Sequence, residues 1–249
     1  MTAGPFAILR FDLALHLLGS EPVGRFLDIG CGAGDFSVEL ARRGLEGVAL
    51  DLSPAAAETA AARLAGAGAD AVSVVCGDLR AADGPFSTAF AFEVIEHVAD
   101  DVTFLREVRG VLAPGGRLVV STPAHPHLWD ATDELAGHLR RYEREGLASA
   151  LAGAGFSDVR VASLGVPLAN LGKPLLAWRN RRALEAMSAE GMSTDERTAA
   201  SGLHRSLPLS DAAYRLAFNR FTLAPAIALQ RTFARSSLGV NWVAVGRRD

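Results

Sequence analysis

The run DIGCGAGD, Asp28–Asp35, decides how the fold is read. Before it stands Arg25-Phe26-Leu27, the start of a short apolar run that ends in an acid and a glycine, as a strand would. After it come Phe36, Leu40 and Ala41 at helical spacing. Gly30 and Gly32 permit a tight turn and close backbone approach to a ligand, and Gly34 lets the helix begin against the strand. A dinucleotide fingerprint spaces its glycines as G-x-G-x-x-G. Here the third glycine comes one residue early, and Asp35 stands where the last one belongs. A pyrophosphate needs the longer turn and tolerates nearby acids poorly. Asp28 suits a cationic amine better than a phosphate, so a nicotinamide-dependent dehydrogenase is disfavoured.

Outward from this turn the punctuation is regular. Strands are expected at residues 25–30, 47–51, 71–76, 87–92, 117–122 and 159–164, with helices between them. Ser53-Pro54 is an N-cap followed by proline at the first helical position, and Asp100 caps a helix carrying Val102, Leu105, Val108 and Leu112 on one face. Residues 143–154 make a further helix. Alternating strands and helices predict an α/β, doubly wound, mainly parallel sheet. An N-terminal helix, residues 5–18, precedes it. After residue 165 the rhythm breaks into about 70 residues of Leu, Ala and Arg, longer than ordinary loops, before the last strand at 241–246. The expected organisation is a core of residues 1–165 and 240–249 with a helical cap or insertion at 166–239.

Two acids extend the ligand reading. Asp51 ends the second strand, about 20 residues on, where an acid accepts hydrogen bonds from ribose hydroxyls. Asp78 follows the third strand in CGDL, where a carboxylate can accept from an adenine amino group with Leu79 beside the ring. These positions suit a nucleoside carrying an amino acid.

The series DIGCGAG, GVALDLSP, CGDL, FEVIEHV and LAPGGRLVVSTP resembles the motifs of class I S-adenosylmethionine (SAM)-dependent methyltransferases, over residues 25–164. It is closest in type to the type 11 and ubiquinone-biosynthesis O-methyltransferases. The resemblance implies a Rossmann-like seven-stranded sheet whose last strand is antiparallel. It implies that Asp28, Gly30, Gly32 and Gly34 hold the methionine part of SAM, Asp51 the ribose, and Asp78 with Leu79 the adenine. Cys31, Leu52 and Glu93 join the implied cofactor contacts. The N-terminal helix would fold over the cofactor, with Arg10 meeting the methionine carboxylate.

FEVIEHV places Glu93, Glu96 and His97 after a buried strand, and i, i+3 and i+4 share a face if a helical turn follows. Charges there are costly unless solvated, paired or used. His97 could act as a general base, since an imidazole titrates near neutrality. The pattern E-x-x-E-H also resembles metal-dependent small-RNA ribose methyltransferases and ubiquinone O-methyltransferases, which place a further histidine before the next helix, here His138. The resemblance makes Glu93, Glu96, His97 and His138 candidate ligands of Mg²⁺, Mn²⁺ or Zn²⁺. A bland alternative pairs Glu93 and Glu96 with Arg140 and Arg141. His97, His138 and Tyr142 are the catalytic candidates. His125, His127 and Tyr142 are candidates for substrate contact, Tyr142 lying beside Arg141 in GHLRRY, and Trp129 for an apolar wall.

Composition narrows the partners. Hydrophobic residues make up 49% of 249, enough for a full core, and the net charge of −3 lacks the basic excess of a nucleic-acid binder. Cys31 and Cys76 have no metal-type spacing and read as reduced thiols in a cytoplasmic protein. No secretory signal or transmembrane run is expected. Residues 168–187, with Leu171, Leu175, Leu176 and Trp178 beside Arg179, Arg181 and Arg182, and residues 216–233, with Arg215, Arg220 and Arg231, suit a cap, a dimer interface or, less favoured, a membrane-surface contact. The expected activity is SAM-dependent O-methylation of a small hydrophobic acceptor. N- or C-methylation, and a protein that binds SAM without transferring methyl, are the alternatives.

Overall fold

Strand β1 (Phe26–Ile29) is buried at all four positions, because it lies at the middle of a sheet covered on both faces. It pairs in parallel with β2 (Gly47–Asp51) on one side and β4 (Phe86–Phe92) on the other. The computed structural model describes residues 4–166, 169–170, 219 and 221–249. With β3 (Val72–Cys76), β5 (Leu112–Pro123), β6 (Phe156–Leu164) and β7 (Asn241–Arg248), the strands form a seven-stranded sheet in the order β3-β2-β1-β4-β5-β7-β6. Only β7 runs antiparallel to its neighbours. The chain reverses its direction of strand addition between β1 and β4, which opens a crevice at their carboxyl ends.

Side chains alternate between two cores. Leu27, Ala89, Ala91, Leu118, Val120 and Trp242 face α4 (Asp101–Val111) and α6 (Arg144–Gly153). Phe26, Phe90, Val119 and Val243 face α1 (Pro5–Leu18), α2 (Asp35–Ala41) and α3 (Pro54–Gly66). Phe11 of α1 and Phe36 of α2 stack with Phe90 and Phe92 of β4 at centroid separations of 4.5–5.9 Å. Each such ring contributes about 1.5–3 kcal/mol on burial, and the cluster seats α1 and α2 beside the crevice. α7 (Ala224–Thr232) closes the same layer. Its Arg231 pairs with Asp12 of α1 at 2.9 Å, and its buried Gln230 donates to Ser163 O and accepts from Gly165 N.

The expected caps form: Ser53 Oγ accepts from Ala56 N, and Asp100 Oδ1 accepts from Thr103 N. Three boundaries differ from the sequence reading. β5 starts at Leu112, not 117, because residues 113–116 stay in the strand as a bulge, with Gly115 at φ 76° and a register shift against β4. β6 starts at Phe156, three residues early, around a second irregularity with Asp158 at φ 47°. A short helix, α5 (Ala131–Ala136), was not expected; six residues carry too little periodicity to declare it. The helix at residues 168–187, the basic clusters around Arg179 and Arg215, the polar connection at 187–205 and the start of the helix at 211–234 lie outside the described residues. Among the described residues no helix is long and apolar enough to cross a membrane.

Candidate functional site

The glycine turn closes at the carboxyl end of β1. Gly30 N and Cys31 N donate to Leu50 O, and Gly32 N donates to Asp51 Oδ2 at 2.8 Å. Asp51 Oδ1 accepts from Ser53 N, so one carboxylate ties the turn to the end of β2. A Cβ at Gly30 would meet Val94 Cγ2 at 2.6 Å; at Gly32, with φ 53°, it would meet nothing within 4 Å. The space over Gly32 is therefore a cradle that a side chain would fill. Gly32→Ala separates folding from binding. Stability should fall by only about 1–2 kcal/mol, the cost of a left-handed alanine. Calorimetry should show S-adenosylhomocysteine affinity reduced about tenfold or more, equivalent to about 1.4 kcal/mol; unchanged affinity would count against a ligand on this turn.

Asp28 lies in β1 at 3% exposure, and its Oδ2 accepts from Ser37 Oγ at 2.6 Å. Burial pushes its pKa up to about 7, against the Ser37 hydrogen bond and with help from the charges of Asp51 and Asp35. A carboxyl in that condition is ready for a cationic partner. Burial also pushes the Cys31 thiol up, which keeps it a protonated contact and not a nucleophile. Leu52 is 75% exposed at the end of β2 and offers an apolar surface to a ligand. Asp78 is exposed and accepts from Arg80 N, whereas Leu79 is packed into the core under the same turn.

At the end of β4, Glu93 takes φ 56°. Its carboxylate accepts from Ser121 Oγ at 2.8 Å and Asn241 Nδ2 at 2.9 Å, and Arg10 Nη2 of α1 stands 3.3 Å away. Arg10 thus reaches the crevice, and its buried Nε finds no partner among the described residues. Glu93 faces these donors and does not join the cluster formed by the other three E-x-x-E-H candidates.

Glu96, His97 and His138 do come together, with ligand atoms within 4.8 Å of one another. Ile95–His97 forms a 3-10 turn that buries Glu96 completely. Glu96 Oε2 accepts from Thr122 Oγ1 at 3.1 Å, while Oε1 is buried without a hydrogen-bond partner among the described residues, 4.0 Å from His138 Nε2. Burial, then the charge of Glu93, raises the Glu96 pKa well above the usual carboxylate range. His97 Nδ1 lies 3.3 Å from Gly137 O and His138 Nδ1 lies 2.9 Å from Asp133 Oδ1. Each acceptor draws the proton to Nδ1 and leaves Nε2 with its lone pair. Burial and the neighbouring His138 lower the His97 pKa, which favours the neutral ring.

Asp133 was missed in the sequence. It is fully buried in α5, and Arg141 grips it through Nε at 2.7 Å and Nη2 at 2.9 Å. Burial opposes its charge, but hydrogen bonds from His138, Arg141 and the Asp130 backbone hold its pKa down at about 2. Its signal was the D-x-x-D capping box that starts α5. Arg141 therefore serves Asp133, not Glu93 or Glu96. Arg140 pairs with Asp101. Tyr142, a catalytic candidate, donates its hydroxyl to Asp101 Oδ2 at 2.6 Å, and its ring is buried in the core under α4 and α6. His125, His127 and the half-exposed Trp129 follow β5.

A family model described as a methyltransferase domain matches residues 8–161. A ubiquinone biosynthesis O-methyltransferase of Parvibaculum lavamentivorans is 41% identical over 100 residues, 39% of this chain and 40% of that protein. One from Nitrobacter winogradskyi is 34% identical over 169 residues, covering 57% of this chain and 63% of that protein. The matches thus span less than two thirds of these relatives' length. In fold, the chain is similar to Haemonchus contortus phosphoethanolamine N-methyltransferase 2 in complex with SAM, with a TM-score of 0.59, 20% identity, and coverage of 96% of this chain and 52% of that one.

Proposed function

The chain belongs to the class I SAM-dependent methyltransferases, and from that membership we propose that it transfers a methyl group from SAM to a hydroxyl of a small apolar acceptor. The observation that carries the acceptor reading is the buried Oε1 of Glu96, without a partner and 4.0 Å from His138 Nε2, at the end of β4. A desolvated acid beside two imidazoles is suited to a hydroxyl, whose proton must leave before its oxygen is a good nucleophile. Relatives named for O-methylation in ubiquinone biosynthesis support the same choice. Leu139, 53% exposed, lies beside this cluster with its N–H on Glu96 O and supplies apolar surface.

SAM supplies an activated methyl group, so the protein's part is positioning and charge. Asp28 receives the ligand's amine, the turn around Gly32 seats its chain, and Asp51 accepts from the ribose hydroxyls. The donor set of Glu96, His97 and His138 fits a divalent ion, Mg²⁺, Mn²⁺ or Zn²⁺, the orphaned oxygen being the site's strongest sign of a missing positive charge. Such an ion would lower the pKa of the acceptor hydroxyl. Asp133 and Arg141 hold His138 in the tautomer that either a metal ligand or a base requires. The free thiols of Cys31 and Cys76 support a cytoplasmic setting.

The test uses methyl-labelled SAM with matched aromatic diols and amines, before and after chelation. Label on the diol, lost on chelation and restored by one divalent ion, is the expected result. Label only on the amine would overturn the hydroxyl assignment. Intact bound SAM with no label on any acceptor would favour a binder that does not transfer methyl.

A further inference from the structure

A second group of nitrogen and oxygen ligands lies just after β5, outside the cluster at Glu96. His125 takes φ 59°, a conformation uncommon for a side chain of this size. It is held there by its own N–H on Tyr142 O at 2.8 Å, next to the bridge between Ala124 and Tyr142. The ring sits edge-on to Trp242 at 4.9 Å. Its Nε2 is 2.9 Å from Ser237 O, and a carbonyl only accepts, so Nε2 carries a proton. The other nitrogen, Nδ1, is 3.1 Å from Glu143 Oε2. Nδ1 thus meets the carboxylate directly, at a separation that suits either a hydrogen-bonded pair or two ligands of one ion.

The surroundings favour two ligands of one ion. His127 stands two residues on with its ring 5.2 Å from that of His125, and it is exposed with no hydrogen bond among the described residues. The ligand atoms of His125, His127 and Glu143 lie within 4.8 Å of one another. Two donors each about 2.0–2.2 Å from one ion stand roughly 3–3.5 Å apart, as His125 Nδ1 and Glu143 Oε2 do. A ring that donates its far N–H to a backbone carbonyl is oriented as a metal-binding histidine is. The neighbouring cation, Arg144, is engaged elsewhere, over the Trp242 ring and on Val161 O and Ser236 O.

We propose that His125, His127 and Glu143 form a second divalent-metal site, of the Zn²⁺ type, which clips the loop after β5 to the start of α6. Two imidazoles and one carboxylate favour Zn²⁺ over Mg²⁺, which prefers oxygen donors. The site shares no residue with the cluster of Glu96, His97 and His138, so its test is independent of that one.

The experiment titrates Zn²⁺ into untagged full-length protein against a chromogenic chelator, in wild type, His127→Ala, Glu143→Gln, Glu96→Gln and the double variant Glu96→Gln/His127→Ala. His127 is exposed, so its removal leaves the fold intact, checked by circular dichroism. In the Glu96→Gln background one equivalent of Zn²⁺ should remain, and adding His127→Ala should weaken it about tenfold or more. Glu143→Gln should do the same, and excess Mg²⁺ should not compete. Identical Zn²⁺ binding with and without His127 would overturn the proposal. So would nitrogen chemical shifts showing that His125 keeps both ring protons throughout the titration, since a proton would then fill the gap.

Discussion

Glu96→Gln is expected to lower kcat for methyl transfer by about 10²–10⁴-fold, the range of a lost acid–base group, while the protein folds as before. The two halves of this result come from one environment. Glu96 is fully buried, and desolvation, followed by the charge of Glu93, raises its pKa well above the usual carboxylate range. Glutamine has nearly the same shape, stays neutral, and can still accept from Thr122 Oγ1. Removing an ionisable group from a site that disfavours its charge should leave stability unchanged or higher. If Glu96 were merely structural, the variant would keep its rate. Thermal melting together with single-turnover transfer at saturating SAM decides between these outcomes, and a kcat within a factor of about two of wild type would end the assignment. S-adenosylhomocysteine affinity should not move, because Glu96 lies past the end of β4 and the cofactor turn follows β1.

Asp28→Asn should weaken S-adenosylhomocysteine binding at pH 8 by about 10- to 150-fold, equivalent to the roughly 1.5–3 kcal/mol of a hydrogen bond to a charged partner. It should also abolish a pH dependence that wild type shows. In the folded, ligand-free protein burial holds the Asp28 pKa at about 7, above the ordinary aspartate value of 3.8. Its contribution to stability is therefore fully present below the unfolded value and is lost as the pH rises through about 7. Ligand binding has the opposite sign. A cationic amine needs the carboxylate, so binding below pH 7 releases a proton, and affinity rises with pH by up to about tenfold per unit before levelling above 7. Asparagine has no proton to release, and its affinity should be flat across that window. Calorimetry in buffers of different ionisation enthalpy measures the released proton directly. A wild-type affinity that is flat between about pH 5.5 and about pH 8 would mean that Asp28 does not meet the ligand's charge.

Much of the cofactor half of the site was readable because its determinants are local. Glycines at three alternate positions, Gly30, Gly32 and Gly34, demand a turn, and an acid at the end of the next strand lies beside that turn in any parallel βαβ unit. Asp51 is found there, bonded to Gly32 N. The acceptor half was readable only in part. His97 and His138 are 41 residues apart in number, and no periodicity joins them; the cluster exists because Leu139 N bonds Glu96 O and brings the α5 segment over the 3-10 turn. Tyr142 looked available because an isolated tyrosine beside arginines carries no sign of burial, yet its hydroxyl is taken by Asp101. Glu93 looked like a member of E-x-x-E-H because i and i+3 share a face on a helix. Its positive φ and the shorter 3-10 turn set it instead toward Asn241, Ser121 and Arg10.

The sequence by itself determined the class of fold, the place of the ligand turn and the caps that start its helices, because each depends on residues within a few positions of one another. Tertiary structure alone decided which polar groups are buried and what faces them. The raised pKa of Glu96, the restrained His138 on Asp133, the raised pKa of Asp28 and the meeting of His125 with Glu143 all arise from desolvation and from partners brought in from distant strands and helices. Desolvation depends on everything packed around a group, and no local pattern of residues encodes it.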